Sequence, residues 1–413
     1  MRLTSLVAPW IAVSLGLSAS ACGGSEAASP GGGTDAGGAD VVSGDSAAVS
    51  EAGEDASAPW VAVPLYSCVG DVYTTPVTIG GSQVFNAIID TGSTTFGVAA
   101  TTCTDCDVTP EYTPGTTATD EKQTASSQYG LGSWSGEIYQ DTLTIGAEPA
   151  LPVKFASITT QSMFFQTAQC DSKVKSYQAI LGLGPTAVAL PGTNGYFDDL
   201  VSAQHVPDVF GLQLCSTGGT LWLGGWDASA TTAAPQYTPM VTTGIDADYY
   251  AVTLSSITVN GTSVPVGSGK SGLAAVSFVD TGTSIFVLAQ TPFTAVTNAI
   301  KASAGFTSIF GATSTLLENP GSCAEVTKTP AEIDAALPAL TLVFGSSPGI
   351  SVQAAPSESY LTTGGSNEWC SSIATDQEIP VAGILGAPVL RSNVVIIDRA
   401  NKQVGFAPHT PCN

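Results

Sequence analysis

The chain has 413 residues, enough for two domains or one large one with a substantial buried core. It carries 34 Asp and Glu against 11 Lys and Arg, a formal net charge of −23, which excludes nucleic acid as a partner because phosphates would be repelled rather than neutralised. Charged residues are only 11% of the chain while Gly (45) and Pro (25) abound, a balance that favours many short strands and turns over long surface helices. The acidity is either ordinary solvation or an adaptation to low pH, where protonation removes the repulsion.

Residues 1–22 begin with Arg2 and run through an apolar segment at 6–17 to Ala19-Ser20-Ala21-Cys22. This reads as an export signal, too short and too early for a transmembrane helix. Ala19-x-Ala21 suits ordinary cleavage and secretion. Cys22 after small residues suits a lipoprotein box better, and a lipidated Cys22 would attach the chain to an outer membrane or cell surface. Setting Cys22 aside leaves eight of nine cysteines, an even number suited to disulfides in an oxidising compartment. Cys103 with Cys106 and Cys323 with Cys370 are the first pairs to propose. Cys103-x-x-Cys106 could also be half a zinc site, but no second C-x-x-C follows and His205 and His409 lack ligand spacing, so neither metal nor cofactor is expected.

Residues 23–59 contain Gly, Ala, Ser and acids but no Lys or Arg, too few large apolar residues to fold alone, and read as a disordered acidic tether. Strand-like material starts near Trp60. An N-terminal β lobe is expected over 60–235 and a C-terminal β lobe over 236–413, the loose Ala/Thr/Pro stretch 228–239 marking the boundary. The hairpin-like Val77-Thr78-Ile79-Gly80-Gly81 has a counterpart in Ile257-Thr258-Val259-Asn260-Gly261. Residues 128–136 alternate glycine with larger side chains, as a mobile β-hairpin does. Helices are expected at 196–204 and 292–304, strands at 209–214 and 219–225, and a strand-turn-strand at 394–406.

One motif recurs. Asp90-Thr91-Gly92-Ser93 closes the apolar run 84–89, and Asp280-Thr281-Gly282-Thr283-Ser284 closes the run 276–279. A lone D-T-G is usually just a turn, in which Asp accepts backbone hydrogen bonds and Gly takes a positive φ. Here Ala179-Ile180-Leu181-Gly182 follows the first copy and Gly383-Ile384-Leu385-Gly386 the second, so the chain reads as a duplication with one acid per half. Two carboxylates meeting across a lobe interface cannot both ionise easily; they would hold one proton between them and present water with a base and an acid together.

These motifs, in this order and spacing, resemble the pepsin-like (A1-type) aspartic endopeptidases over nearly all of 60–408. The flap-like Tyr129-Gly130-Leu131-Gly132-Ser133 and the tail Asp398-Arg399-Ala400-Asn401 complete the match. A proton shared between two aspartates is how pepsin itself works, so the same logic is expected of this pair. The resemblance implies an all-β, bilobal acid protease fold: two duplicated β lobes with the active-site cleft between them. It implies a monomer acting on polypeptide substrates at acid pH, with Asp90 and Asp280 as the catalytic pair. Thr91, Gly92, Ser93, Thr281, Gly282 and Thr283 would support them, while Tyr129 and Gly130 would form the flap over substrate.

Three positions depart from the family pattern. Gly97 stands where a Trp usually bonds the flap tyrosine, Leu131 where a Thr or Ser usually meets the substrate backbone, and Gln178-Ala179 where Asp-Gly is usual. Altered affinity or specificity is the expectation, since neither Asp is touched. The competing readings are a catalytically silent pepsin-like binding or inhibitor protein and a structural β protein whose D-T-G turns are only turns. A serine hydrolase is disfavoured because no G-x-S-x-G occurs, and Ser268-Gly269-Lys270-Ser271 lacks the first Gly of a P-loop. Phe164, Phe165 and Ile180 are candidates for an apolar subsite or for buried core.

Overall fold

The computed structural model describes residues 60–68, 72–130, 132–165, 176–244, 248–267, 275–346, 349–365, 367–376, 379 and 381–412. The export signal, Cys22, the 23–59 tether, Leu131 and the 268–271 turn lie outside the described residues. Among those described, no helix is long and apolar enough to cross a membrane.

Strand follows strand, as the Gly- and Pro-rich composition implies. The first half holds β1 (Val61–Cys68), β2 (Val72–Ile79), β3 (Gln83–Asp90), β4 (Gly97–Ala99), β5 (Thr119–Gln128), β6 (Ser133–Ile145), β7 (Leu151–Ser162), β8 (Ala179–Gly182), β9 (Val209–Cys215) and β10 (Gly218–Leu223). The second holds β11 (Gln236–Pro239), β12 (Ala251–Val259), β13 (Thr262–Pro265), β14 (Val276–Asp280), β15 (Phe286–Leu288), β16 (Cys323–Glu325), β17 (Leu340–Phe344), β18 (Ile350–Ala354), β19 (Leu361–Gly365), β20 (Glu368–Ser371), β21 (Ile373–Thr375), β22 (Gly383–Gly386), β23 (Asn393–Asp398) and β24 (Gln403–Pro408). The fold is mostly β and bilobal, as expected.

A shared sheet ties the halves together. In the order β11-β24-β23-β9-β10-β1 it draws three strands from each half, and β1 carries it on into β2 and the first-half sheet. The second half forms its own sheet, β18-β17-β12-β14-β22-β15-β21, with β13 on β12. Phe344 of β17 stacks on Phe406 of β24 at 4.9 Å, locking that sheet onto the shared one. A single apolar cluster runs through both halves, from Val63 to Phe406. Burial of this kind, at about 25 cal/mol per Å² of apolar surface, is the main force fixing one half against the other.

The two matched hairpins both form, β2 pairing with β3 and β12 with β13. β12 and β13 are joined by Asn260 and Gly261, with φ of 49° and 78°, the left-handed pair of a tight hairpin turn. The 196–204 helix is α1 (Tyr196–Gln204), burying Tyr196, Phe197 and Leu200. The expected 292–304 helix is instead α2 (Gln290–Lys301) followed by α3 (Ala304–Phe310), because the Ser303 side chain accepts the Phe306 N–H and starts a new helix. The stretch 228–239 is less loose than its composition suggests, since β11 pairs with β24.

Both proposed disulfides are present, Cys103–Cys106 and Cys323–Cys370, which removes the half-zinc reading of Cys103-x-x-Cys106. A third, Cys215–Cys412, fastens the chain end to the shared sheet; no local spacing marks it.

Candidate active site

Each acid ends a buried strand threaded between neighbours. β3 runs parallel to β8 with Asp90 opposite Gly182, and β14 runs parallel to β22 with Asp280 opposite Gly386. A third strand then returns antiparallel, β4 on β8 and β15 on β22. The repeated I-L-G motif has its reason in this crossing. A Cβ on Gly182 would fall 2.5 Å from Thr94 Cα, and one on Gly386 would fall 2.6 Å from the Thr283 carbonyl oxygen, so only glycine lets the acid loop pass so close.

The two loops grip one another through their threonines. Thr91 Oγ1 donates to the Val279 carbonyl (2.8 Å) and accepts the Thr281 N–H (3.0 Å); Thr281 Oγ1 donates to the Ile89 carbonyl (2.8 Å) and accepts the Thr91 N–H (3.1 Å). All four bonds are buried. Each is therefore worth more than a surface bond, and losing one partner would strand a backbone group without water.

The cross brings the carboxylates face to face. Gly92 N–H donates to Asp90 Oδ1 (2.8 Å) and Gly282 N–H to Asp280 Oδ1 (2.9 Å), while Ser93 Oγ donates to Asp90 Oδ2 and Thr283 Oγ1 to Asp280 Oδ2 (2.6 Å). A Cβ on Gly92 would sit 2.6 Å from the Asp280 carboxyl carbon, and one on Gly282 would collide with Asp90 Oδ1. The acids are 5% and 4% exposed, buried but not sealed. Burial and then the Asp280 charge push Asp90 up to about 8, far above an ordinary carboxylate, despite the Ser93 and Gly92 bonds that pull it down.

A second layer holds the Asp90 loop from below. Leu183 N–H donates to the Asp90 carbonyl (2.7 Å), and the buried Tyr250 hydroxyl donates to the Leu183 carbonyl (2.7 Å). Arg399 pairs with Asp198 of α1 and, through Nε, with Asp208 at 2.9 Å, and lies over the Phe197 ring. Asp198 in turn accepts the Thr186 N–H at 2.9 Å. The Asp398-Arg399-Ala400-Asn401 tail thereby clamps the segment that follows β8. Sequence reasoning misses Tyr250, because nothing local marks a tyrosine whose partner lies 67 positions away.

The predicted flap is a hairpin of β5 and β6, with Gln128 opposite Ser133 and Tyr129 N–H donating to the Gly132 carbonyl (2.9 Å). Tyr129 and Gly130 are half-buried at its tip. Burial and the Asp90 charge push the Tyr129 phenol up to about 12, with hydroxyl and indole donors from Ser127, Trp134 and Ser93 opposing them. The Asp90 charge thus reaches the Tyr129 phenol. Phe164, Phe165 and Ile180 are buried in a second apolar cluster, against which Tyr129 packs with its ring 5.0 Å from that of Phe164. Gln178 replaces the usual Asp structurally: its side chain accepts the Asn86 N–H (2.9 Å) and donates to the Thr109 carbonyl (2.9 Å), pinning β8 beside β3.

Comparison with known proteins agrees with this geometry. Residues 72–409 match the eukaryotic aspartyl protease family. The chain is 30% identical to a β-secretase of Strongylocentrotus purpuratus over 364 residues, covering 79% of this chain and 64% of the relative. It is 30% identical to pepsin A of Sus scrofa over 359 residues, covering 84% and 83%, and 30% identical to an aspartic protease of Phaffia rhodozyma over 218 residues, covering 52% and 49%. The chain thus spans less than two thirds of the β-secretase and of the Phaffia protease, but most of pepsin A. A buried pair of D-T-G loops locked by a threonine cross, matched along nearly the whole folded chain, makes this protein a member of the aspartyl protease family.

Proposed function

We propose that the chain is an aspartic endopeptidase that hydrolyses peptide bonds of proteins at acid pH, using Asp90 and Asp280 as one catalytic unit. The observation that carries this reading is the facing of two buried carboxylates whose inner oxygens are held by Gly92 and Gly282 and whose outer oxygens by Ser93 and Thr283. The ionised member takes a proton from a water as that water adds to the peptide carbonyl carbon. The protonated member gives its proton to the carbonyl oxygen, so a neutral gem-diol forms and the pair has exchanged its protonation. In collapse a proton passes to the leaving nitrogen, the C–N bond breaks, and a carboxylic acid and an amine are released. No covalent intermediate and no metal are needed. Tyr129 and Gly130 close over the substrate and exclude bulk water.

The address of the protein belongs to the same proposal. Residues 1–22 direct export, Cys22 carries a lipid, and 23–59 is the tether from which a monomeric catalytic body hangs. A tether without Lys or Arg cannot pair with cleft acids as a basic prosegment would, so a chain beginning at Gly23 and one beginning at Trp60 are equally active on acidification. A lag confined to the first, ending with tether removal, would show a true prosegment. The function itself is tested by cleavage of a denatured protein between pH 2 and 7 with and without a pepstatin-type inhibitor. Inhibitor-sensitive cleavage at acid pH is the expected result; none across the range favours a silent binding protein.

A further inference from the structure

The two acid loops are braced unequally from behind. Leu183, directly after β8, donates its N–H to the Asp90 carbonyl at 2.7 Å. Ala387 stands in the same place after β22, yet it donates its N–H to the Thr283 carbonyl at 2.8 Å. The Asp90 loop is therefore tied at the acid itself, and the Asp280 loop at the threonine beyond its acid.

The tie at Asp90 continues into the other half of the chain. The Leu183 carbonyl accepts the hydroxyl of Tyr250, 67 positions on, at 2.7 Å. Tyr250 directly precedes β12, and its own carbonyl accepts the Val279 N–H at 2.9 Å. Val279 is the residue before Asp280 on β14. One line of hydrogen bonds thus leads from the Asp90 carbonyl through both polar groups of the Leu183 backbone, then through the hydroxyl and carbonyl of Tyr250, to the strand that ends in Asp280. The tyrosine is held for this task. It is 2% exposed, its ring stands edge-on to Phe210 at 5.7 Å, and Phe210 stands edge-on to Phe197 at 5.0 Å. A hydroxyl on a ring packed in this way has little freedom to find another partner, and bulk water does not reach the Leu183 carbonyl to replace it.

We propose that Tyr250 is a positioning residue of the acid pair: its hydroxyl, acting through Leu183, fixes the backbone of Asp90 against the strand that carries Asp280. This rests on the two-aspartate reading and deepens it, because it names what sets one carboxyl at its place beside the other. The threonine cross looks the same from either acid, whereas the Tyr250 line acts on Asp90 from one side. Without the hydroxyl, the Leu183 peptide turns toward another donor and the Asp90 carbonyl moves with it. Misplacing a reacting group by about 1 Å can cost about a hundredfold in rate, so a fraction of that displacement is felt in turnover.

The test compares Tyr250→Phe with Tyr360→Phe. Tyr360 is also buried, and its hydroxyl likewise serves one backbone carbonyl, that of Pro338 at 2.9 Å. Each substitution removes one such bond, so both should lower the melting temperature by a few degrees. Tyr250→Phe alone is expected to lower kcat by about threefold to tenfold with KM changed by less than about twofold, since binding is untouched and alignment is not. It should also move the Asp90 carboxyl-carbon titration down toward the ordinary carboxylates, because Asp90 is less closely held to the Asp280 charge. Tyr360→Phe should leave kcat and that titration at their parent values. A Tyr250→Phe protein that melts lower but keeps the parent kcat and Asp90 titration would overturn the proposal, as would an equal loss of kcat in Tyr360→Phe. Should Tyr250→Phe not fold, a monofluorinated tyrosine at position 250 keeps ring and hydroxyl and changes the donor strength; the Asp90 carboxyl signal is then expected to shift, and an unmoved signal overturns the proposal. The titration is read without turnover, so a chain that cleaves no peptide but whose Asp90 follows Tyr250 loses the catalytic reading while keeping the brace.

Discussion

The two acid loops are alike where they hold a carboxylate and unlike in what covers it. In both, a glycine N–H binds the inner oxygen, a hydroxyl three residues on binds the outer one, and a threonine reaches across to the other strand. Thr283 is fully buried, whereas Ser93 is half-open and stands toward Tyr129. After β4 the chain builds the long β5–β6 flap; after β15 it goes straight into α2. The two halves are thus alike in how they hold an acid and differ in what is built over it.

The most drastic way to break the symmetry is to remove one charge. Asp90→Asn and Asp280→Asn should each lower kcat by about a thousandfold or more, with circular dichroism unchanged, because either loss removes the base or the acid. A large difference between the two variants in turnover would mean that only one acid is chemical. The cover comes next. Tyr129→Ala should cost about a hundredfold in kcat/KM, less than either aspartate, since it misplaces substrate without removing the proton carrier. The threonine cross follows. Thr91→Val and Thr281→Val should destabilise to a similar degree, by about 2–4 kcal/mol, because each strands a backbone N–H and a carbonyl across the interface. In thermal melting this is roughly a 5 °C fall, and unequal falls would show the cross to be mechanically one-sided.

The smallest and broadest effect is on stability against pH. Asp90, Glu148, Asp199, Asp208 and Glu358 are all held above the ordinary carboxylate range with burial as the first cause. A group whose folded pKa is raised binds more protons in the native state, so its stabilisation is complete below the unfolded pKa and is lost as pH rises from there through the folded value. Asp120 and Glu332 shift the other way, held down by Lys122 and Thr329 bonds at exposed sites that contribute little. Melting temperature should therefore fall as pH rises from about 4 to about 8. A steady climb across that range would contradict the assignment of the raised groups.

Much of this is legible in the residues because it is written locally. The D-T-G and I-L-G repeats encode a loop and the glycine that lets it pass, and alternation with tight turns encodes the strands. The disulfides Cys103–Cys106 and Cys323–Cys370 are within reach of sequence reasoning; Cys215–Cys412 is not, since 197 residues separate partners that only the shared sheet brings together. Tyr250 is hidden for a related reason. Its role rests on where a distant carbonyl lies in space.

The central claim, that Asp90 and Asp280 act as one proton-sharing pair, is tested most directly by carboxyl-carbon NMR titration of Asp90 in the parent protein and in Asp280→Asn. The account predicts that Asp90 titrates well above ordinary carboxylates in the parent, and that it moves down when the Asp280 charge is removed while staying raised by its burial. An Asp90 that titrates with the exposed carboxylates, or one whose titration is indifferent to Asp280→Asn, would contradict it.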